Sequence, residues 1–321
     1  GKNSRPQNIY DNWRQDTWFG VSMSETTGTR SENETYVFPR VRTKVYEDVI
    51  YVQTIYDLVN NTANYPSKTY VLLNDIDMDN YRESWNPLNS INNPFTGVIK
   101  SYNDSTILNV RASIFECADG ATFKDFNIET ASGKIISAGG DNFGVLVNQA
   151  NNTKFTNLNL SIIDDIATSA LNAGGLVGSL TGNKSRVENC QISFANGIAK
   201  SFIISNASVN VGLVAGYVQC EDEDEIPIIA NAVGNIVLNG DKSNATIGGL
   251  VGKTECAIFI NGVASVNIEG TNVDETNIGG LIGYGRSVRI FNSGSACGDV
   301  VLNKANNSNI GGLVGKFESF D

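Results

Sequence analysis

The stretch NIGGLVGK, residues 309–316, decides the fold because it recurs along the chain. Close copies are TIGGLVGK at 246–253, NIGGLIGY at 277–284 and NAGGLVGS at 172–179. Weaker copies are ASIFEC, FGVLVN and VGLVAG, so each copy contributes one anchor residue: Ile114, Leu146, Leu176, Leu213, Leu250, Leu281 and Leu313. Successive anchors lie 32, 30, 37, 37, 31 and 32 residues apart, which is the pattern of a repeat protein.

A second column of residues runs in phase with the anchors. Asparagines follow them by 11 to 18 residues, at Asn127, Asn157, Asn189, Asn231, Asn261 and Asn292. The units are rich in Val, Ile and Thr, and GVASVNIEG at 262–270 alternates apolar and polar residues like a half-buried strand. The pattern predicts an all-β, parallel β-helix, or β-solenoid, with coils of about 31 residues stacked about 4.8 Å apart.

The repeated residues have a structural interpretation within such a coil. We expect the anchor leucine to point into the core, while the glycines allow close backbone approach without a Cβ. Asparagine suits a corner, because it tolerates left-handed backbone and its stacked amides can bond between coils. A phosphate-binding role for the glycines is disfavoured, since strands flank them on both sides.

Composition limits the function classes. The chain has 321 residues, 41% of them hydrophobic, and a net charge of -11, which disfavours nucleic acid and anionic membranes as partners. It contains no histidine, which excludes Ser-His-Asp triads and histidine-ligated zinc sites built from these residues. No apolar run is long enough for a transmembrane helix, and the first residues look like a mature or trimmed N-terminus.

The phrases GGLVG, GGLIG and GLVAG resemble the GLUG motif of large surface adhesins and other extracellular proteins. Segments at 54–60, 70–80, 84–89 and 94–110 resemble what precedes the first repeat in that family, although Ser101 replaces a usual glycine. The resemblance covers about residues 50 to 321. It implies a right-handed β-helix and an extracellular or cell-surface location, and it implies no single activity.

The expected organisation has three parts. Residues 1–45 form an extended N-terminal arm, 46–110 form a cap and the first coils, and 111–321 form the GLUG-type repeats. The helical pattern of VQTIYDLVNNTANY predicts a short helix covering the first coil, with Ile55 and Leu58 one turn apart. At the other end the last coil has no cap, so either the chain continues or another chain covers that edge.

The arm offers one such cover. Its apolar residues are Trp13, Trp18, Phe19 and those of TYVFPRV at 35–41, which include Tyr36, Val37, Phe38 and Pro39. An extended arm could add to the open edge of a neighbouring molecule and propagate a head-to-tail filament of this chain. Alternatively, the arm packs on its own solenoid or is partly disordered.

Nine N-x-S/T sequons are compatible with a secreted protein that carries N-linked glycans. The candidate asparagines are Asn33, Asn60, Asn103, Asn151, Asn159, Asn183, Asn206, Asn244 and Asn306.

Cysteines and acidic residues give the other candidate sites. There are five cysteines, and the register of adjacent coils predicts a Cys220–Cys256 disulfide, with two buried thiols as the alternative. The other three cysteines are expected at core or corner positions. The loop CEDEDEIP could hold structural Ca²⁺ through Asp222 and Asp224, although a solvated acidic loop is favoured. NDIDMDN at 74–80 is not an EF-hand, because it lacks the glycine and the final glutamate.

These observations favour a non-enzymatic, extracellular structural or adhesive protein without a cofactor. It would be a filament subunit or a segment of a large adhesin that binds host or matrix ligands. A polysaccharide-active enzyme is a weaker alternative, supported by fold analogy alone. A glycan-binding module is a further alternative, and it would need a groove lined with Tyr or Trp.

Overall fold

The computed structural model describes the strands Ser22–Thr29 and Thr35–Arg42, and residues 48–319 apart from 134, 138–139, 196–199, 221–224, 256, 261 and 292–293. The described part from residue 48 onwards is a β-solenoid of parallel strands, as the repeat predicted. Seven coils each give one strand to a seven-stranded sheet. No described helix is long and apolar enough to cross a membrane.

Four parallel sheets form the walls of the solenoid. The long sheet contains Val49–Val52, Thr69–Leu72, Ile76–Asp77, Val98–Ser101, Thr106–Val110, Thr122–Thr130, Ile135–Ser137, Lys154–Ile162, Ile166–Thr168, Arg186–Phe194, Phe202–Ile204, Glu225–Leu238, Ala257–Ile260, Val263–Gly270, Arg289–Ile290, Ser295–Cys297 and Val300–Leu302. The six-stranded sheet contains Asn142–Gly144, Asn172–Gly174, Asn210–Gly212, Thr246–Gly248, Asn277–Gly279 and Asn309–Gly311. The seven-stranded sheet contains Phe115–Asp119, Val147–Asn151, Val177–Thr181, Ala215–Gln219, Val251–Thr254, Ile282–Arg286 and Val314–Glu318. The three-stranded sheet contains Lys242–Ser243, Val273–Asp274 and Ala305–Asn306.

The GGLVG phrase is the corner between the six-stranded and the seven-stranded sheets. Its first glycine ends one strand and its valine begins the next, so the anchor leucine turns into the core. Six anchors, from Ile114 to Leu281, are fully buried, as predicted. A Cβ on Gly248 would lie 2.1 Å from the Val251 carbonyl oxygen, which confirms that the glycines permit close backbone approach.

Aromatic residues fill the core beneath the first coils. Phe95, Phe115 and Phe123 pack against one another with ring centroids 5.1 to 5.7 Å apart, and Phe123 stacks on Phe155 at 5.5 Å. A helix at Ile55–Thr62 lies near this end and buries Ile55 and Leu58. The expected helix is therefore confirmed at the predicted residues. A short 3₁₀ helix at Met78–Asn80 follows later in the chain.

Asparagine ladders tie neighbouring coils together along the six-stranded sheet. The amide Nδ2 of Asn172 donates to Asn142 Oδ1 at 2.9 Å, and Asn210 Nδ2 donates to Asn172 Oδ1 at 2.7 Å. Asn309 bonds Asn277 in the same way at 2.8 Å. These residues begin each repeated phrase, and the sequence alone did not mark them as the main amide ladder.

The asparagine column that the sequence did suggest separates into two columns. Asn157 and Asn189 have left-handed backbones, and Asn189 Nδ2 donates to Asn157 Oδ1 at 3.3 Å. Asn127 instead pairs in register with Asn159, two residues further along the coil. The expected corner role of asparagine holds for the first column, while the second lies on the outer face of the long sheet.

The N-terminal arm contains an antiparallel hairpin. Strand Thr35–Arg42 contains the apolar segment TYVFPRV, and it pairs with Ser22–Thr29. Trp13, Trp18 and Phe19 lie outside the described residues, so the arm-to-edge contact remains a prediction. The last described coil exposes apolar side chains, among them Leu313 at 42% and Phe317 at 55%.

Candidate functional site

The aspartates of NDIDMDN serve the stacking of coils. Each carboxylate accepts a hydrogen bond from the next coil: Asp75 from the Thr106 N–H, Asp77 from Asn109 Nδ2, and Asp79 from both Arg111 Nε and Nη2. The hydrogen bonds from Arg111 lower the pKa of Asp79. These carboxylates are therefore committed to protein partners.

The proposed calcium ligands Asp222 and Asp224 lie outside the described residues, so that site remains a prediction. Within the described part of the chain, no group of three or more His, Cys, Asp or Glu side chains is placed to hold a metal ion.

The cysteines occupy different environments. Cys220 is buried, and Cys256 lies outside the described residues, so the disulfide between them stays a prediction. Cys117 and Cys190 are buried free thiols, while the thiol of Cys297 is exposed. Burial raises the pKa of Cys190 to about 12.

These environments predict selective alkylation. With iodoacetamide at pH 8, Cys297 should react readily, whereas Cys190 should stay unmodified until the protein unfolds. Cys190 is 2% exposed, and at pH 8 a thiol with a pKa near 12 is ionised in about one molecule in ten thousand. Peptide mapping of the alkylated protein measures both sites, and Cys297→Ser should remove the fast product. Rapid native modification of Cys190 would contradict the described packing.

Several sequon asparagines use their side-chain amide in hydrogen bonds between neighbouring coils. Asn151 Nδ2 donates to Asp119 Oδ1 at 2.9 Å, Asn159 Nδ2 to Asn127 Oδ1 at 2.9 Å, and Asn206 Nδ2 to the Ser169 carbonyl at 3.0 Å. N-glycosylation replaces one of the two hydrogens on that nitrogen, so a glycan at these three positions would have to fit beside an existing hydrogen bond.

A ladder of tyrosines, lysines and glutamates lies on the outer face of the seven-stranded sheet. Tyr217, Lys253, Tyr284 and Lys316 are in register on four successive coils. The Lys253 ammonium lies 5.8 Å from the Tyr217 ring centroid and 5.6 Å from that of Tyr284. The ladder alternates aromatic and cationic groups, a cation–π arrangement that favours coil stacking.

Glutamates complete this ladder. Glu255 accepts hydrogen bonds from Tyr217 Oη at 2.8 Å and pairs with Lys253 at 2.6 Å. Glu318 accepts from Tyr284 Oη at 2.6 Å, and burial together with this bond raises the pKa of Tyr284 to about 12. These groups satisfy one another, so the ladder stabilises the coils without offering an unpaired charge.

A buried lysine marks the corner at the three-stranded sheet. Lys242 is 1% exposed, pairs in register with Val273, and donates from Nζ to the Asn239 carbonyl at 2.6 Å. Burial lowers its pKa. A shallow cavity of about 370 Å³ adjoins this corner, between Asp241 and Asp274.

A second cavity, of about 360 Å³, opens on the outer face of the long sheet. Its lining residues are Asn159, Asn189, Cys190, Gln191, Ile229, Ala230 and Asn231. It lies between the strands Arg186–Phe194 and Glu225–Leu238, where their register shifts after Glu188. No sequence pattern predicted this cavity. It forms because the strand Glu225–Leu238 has no residue opposite Asn189 of the preceding coil.

In comparisons with known proteins, the chain is similar to proteins named as proteases, whereas a structural or adhesive protein was expected. An immunoglobulin A1 protease from Streptococcus sanguinis is 28% identical over 236 residues, which cover 70% of this chain and 12% of that protein. The zinc metalloprotease ZmpC from Streptococcus pneumoniae serotype 4 is 24% identical over 272 residues, covering 74% of this chain and 14% of that protein. No family model matches the chain.

A solved structure titled IgA1 Protease shares the fold. It superposes with a TM-score of 0.56 at 19% identity, over 94% of this chain and 23% of that one. The chain thus spans less than a quarter of each of these proteins.

The expectation of a non-enzymatic structural or adhesive protein is therefore wrong. The relatives are named as proteases, and neither name describes an adhesin, a filament subunit or a polysaccharide-active enzyme. The error has a physical cause: the repeat columns encode contacts between coils, which are the same whatever protein the solenoid serves.

Proposed function

We propose that this chain is the β-solenoid module of an extracellular protease and that it holds the protein substrate of that protease. The observation that carries the proposal is the similarity to two named proteases over 70% and 74% of the chain. Immunoglobulin A1, named in the first relative, is an extracellular protein, which supports an extracellular location for this chain. The GLUG-like repeats support the same location.

The residues present do not fit a zinc centre of the kind that histidines build. The chain has no histidine, and no cluster of three or more potential ligands occurs among the described residues. A histidine-ligated zinc for hydrolysis would therefore have to be held by residues outside these 321. The part left to this chain is to bind and orient the substrate.

The solenoid is suited to that task because its outer faces are long and rigid. Interior side chains are almost fully buried, and amide ladders bond one coil to the next. A rigid surface that binds an extended partner loses little conformational entropy of its own. Repeat proteins offer such extended binding surfaces.

A binding and competition experiment tests this proposal. We expect the purified chain to bind immobilised immunoglobulin A1 and, in excess, to slow its cleavage by the Streptococcus sanguinis relative. The same chain, heat-unfolded, should do neither. If the folded chain neither binds nor slows cleavage, this substrate-holding function is wrong for immunoglobulin A1. Cleavage by the chain alone would show that it carries its own catalytic residues.

A further inference from the structure

The cavity on the long sheet arises from a change in coil length. In the strand Arg186–Phe194, Asn189 adopts a left-handed backbone and has no partner in the next coil, because Ile229 pairs with Glu188 and Ala230 pairs with Cys190. The amide ladder from Asn157 to Asn189 therefore ends here. Because the next coil has no residue opposite Asn189, the outer face of the long sheet is interrupted between Asn189 and Ile229, and we call this interruption the step.

Amide groups around the step are available to a ligand. Among the described residues, the Gln191 side chain has no hydrogen-bond partner, and neither does the Asn189 Oδ1 oxygen. The Asn231 Oδ1 oxygen accepts the Val263 N–H at 3.3 Å, and its Nδ2 has no described partner. The cavity thus presents both donors and acceptors, the combination that peptide groups need.

Aliphatic side chains flank these amides. Ile229, Asn231 and Val233 alternate along the outer face of one strand, and Val263 stands beside Asn231 on the next coil. Val233 is 41% exposed and Val263 is 40% exposed. Same-face residues of a strand are about 6.6 Å apart, which is also the spacing of alternate side chains in an extended peptide.

The two charged side chains of the strand Arg186–Phe194 pair with each other. Glu188, opposite Ile229, pairs with Arg186 of its own strand at 3.4 Å. Arg186 and Glu188 are the charged side chains of that strand. The site therefore favours an uncharged ligand, since a charged one would lose water without gaining a partner.

We infer that this step docks an extended, uncharged polypeptide segment with an aliphatic–polar–aliphatic pattern at alternate positions. The inference rests on the proposed function, since such a segment would belong to the protein substrate. The aliphatic side chains pack on Ile229, Val233 and Val263, while the polar residue and the peptide groups bond the amides. A peptide fits better than an oligosaccharide, because aliphatic rather than aromatic side chains flank the amides.

Two capped peptides test the site on the full chain. Acetyl-Ser-Val-Ser-Thr-Ser-Val-Ser-amide carries the matching pattern, and in its partner both valines are glutamates. Titration followed by NMR should give saturable binding of the first peptide, at least tenfold tighter than the second. Equal affinity for both, or no binding of the first at 5 mM, would overturn the inference. So would complete competition by cellohexaose, since the site would then be a sugar site.

Matched variants locate the binding. Val263→Lys should weaken binding of the valine peptide at least tenfold, and Val301→Lys, the same change at a valine 54% exposed elsewhere on the sheet, should alter it less than twofold. Thermal unfolding followed by circular dichroism confirms that both variants fold. Unchanged binding by Val263→Lys would refute the location. Peptide binding without immunoglobulin A1 binding would leave the site standing and reject the proposed substrate; the reverse result would reject the site alone.

Discussion

Gly249→Ala is expected to open the solenoid locally and to lower its stability by at least ~3 kcal/mol, the upper range for overpacking a core. A Cβ at this position would lie 2.2 Å from the Gly280 carbonyl oxygen and 2.7 Å from Ala264 Cβ. The carbonyl belongs to the adjacent coil, so relief requires two stacked coils to separate. Hydrogen exchange of the strands Thr246–Gly248 and Ile282–Arg286 should accelerate about a hundredfold.

Gly312→Ala provides the matched control. It makes the same change at the same position of the phrase, yet a Cβ there meets nothing within 4 Å, and its backbone is not left-handed. Its effect should stay within about 0.5 kcal/mol. If both variants exchanged at the same rate, steric crowding between coils would not be the reason for glycine in this phrase.

Much of the fold can be predicted from the sequence, because residues that stack on one another in successive coils recur at the same position of the repeat. The anchors mark the buried corner, and the pattern around Ile55 and Leu58 marks the helix at Ile55–Thr62. The main amide ladder was missed because Thr246 stands in a column of asparagines, although its hydroxyl bonds Asn210 as an amide would. Chemical equivalence, rather than identity, defines that column.

The candidate site was less predictable for a different reason. The step beside Ile229 depends on one residue absent from one coil, and a 37-residue spacing does not say where a coil is longer or shorter. The predicted asparagine column combined Asn127 with Asn157. In the structure Asn127 pairs with Asn159, so Asn127 and Asn157 belong to two columns that lie two residues apart along the coil. Function was harder still, because a repeat that records contacts between coils carries no information about activity.

Leu250→Ala should lower the stability of the solenoid by about 3 to 5 kcal/mol, as measured for fully buried leucines in another protein. Leu250 is completely buried between the equivalent Leu213 and Leu281 of the neighbouring coils. Those coils are held at a fixed spacing by their backbone hydrogen bonds, so they cannot collapse into the cavity. Urea unfolding followed by circular dichroism measures the loss.

Leu313→Ala is the same truncation in the last described coil, where the leucine is 42% exposed. Only about half of its surface leaves water there, so the loss should be smaller, at ~1 to 2 kcal/mol. The difference between the two variants therefore measures how much a coil gains from having a neighbour on each side. Equal losses would mean that Leu313 is covered in solution, and a concentration-dependent midpoint for the unaltered chain would then identify a second copy as the cover.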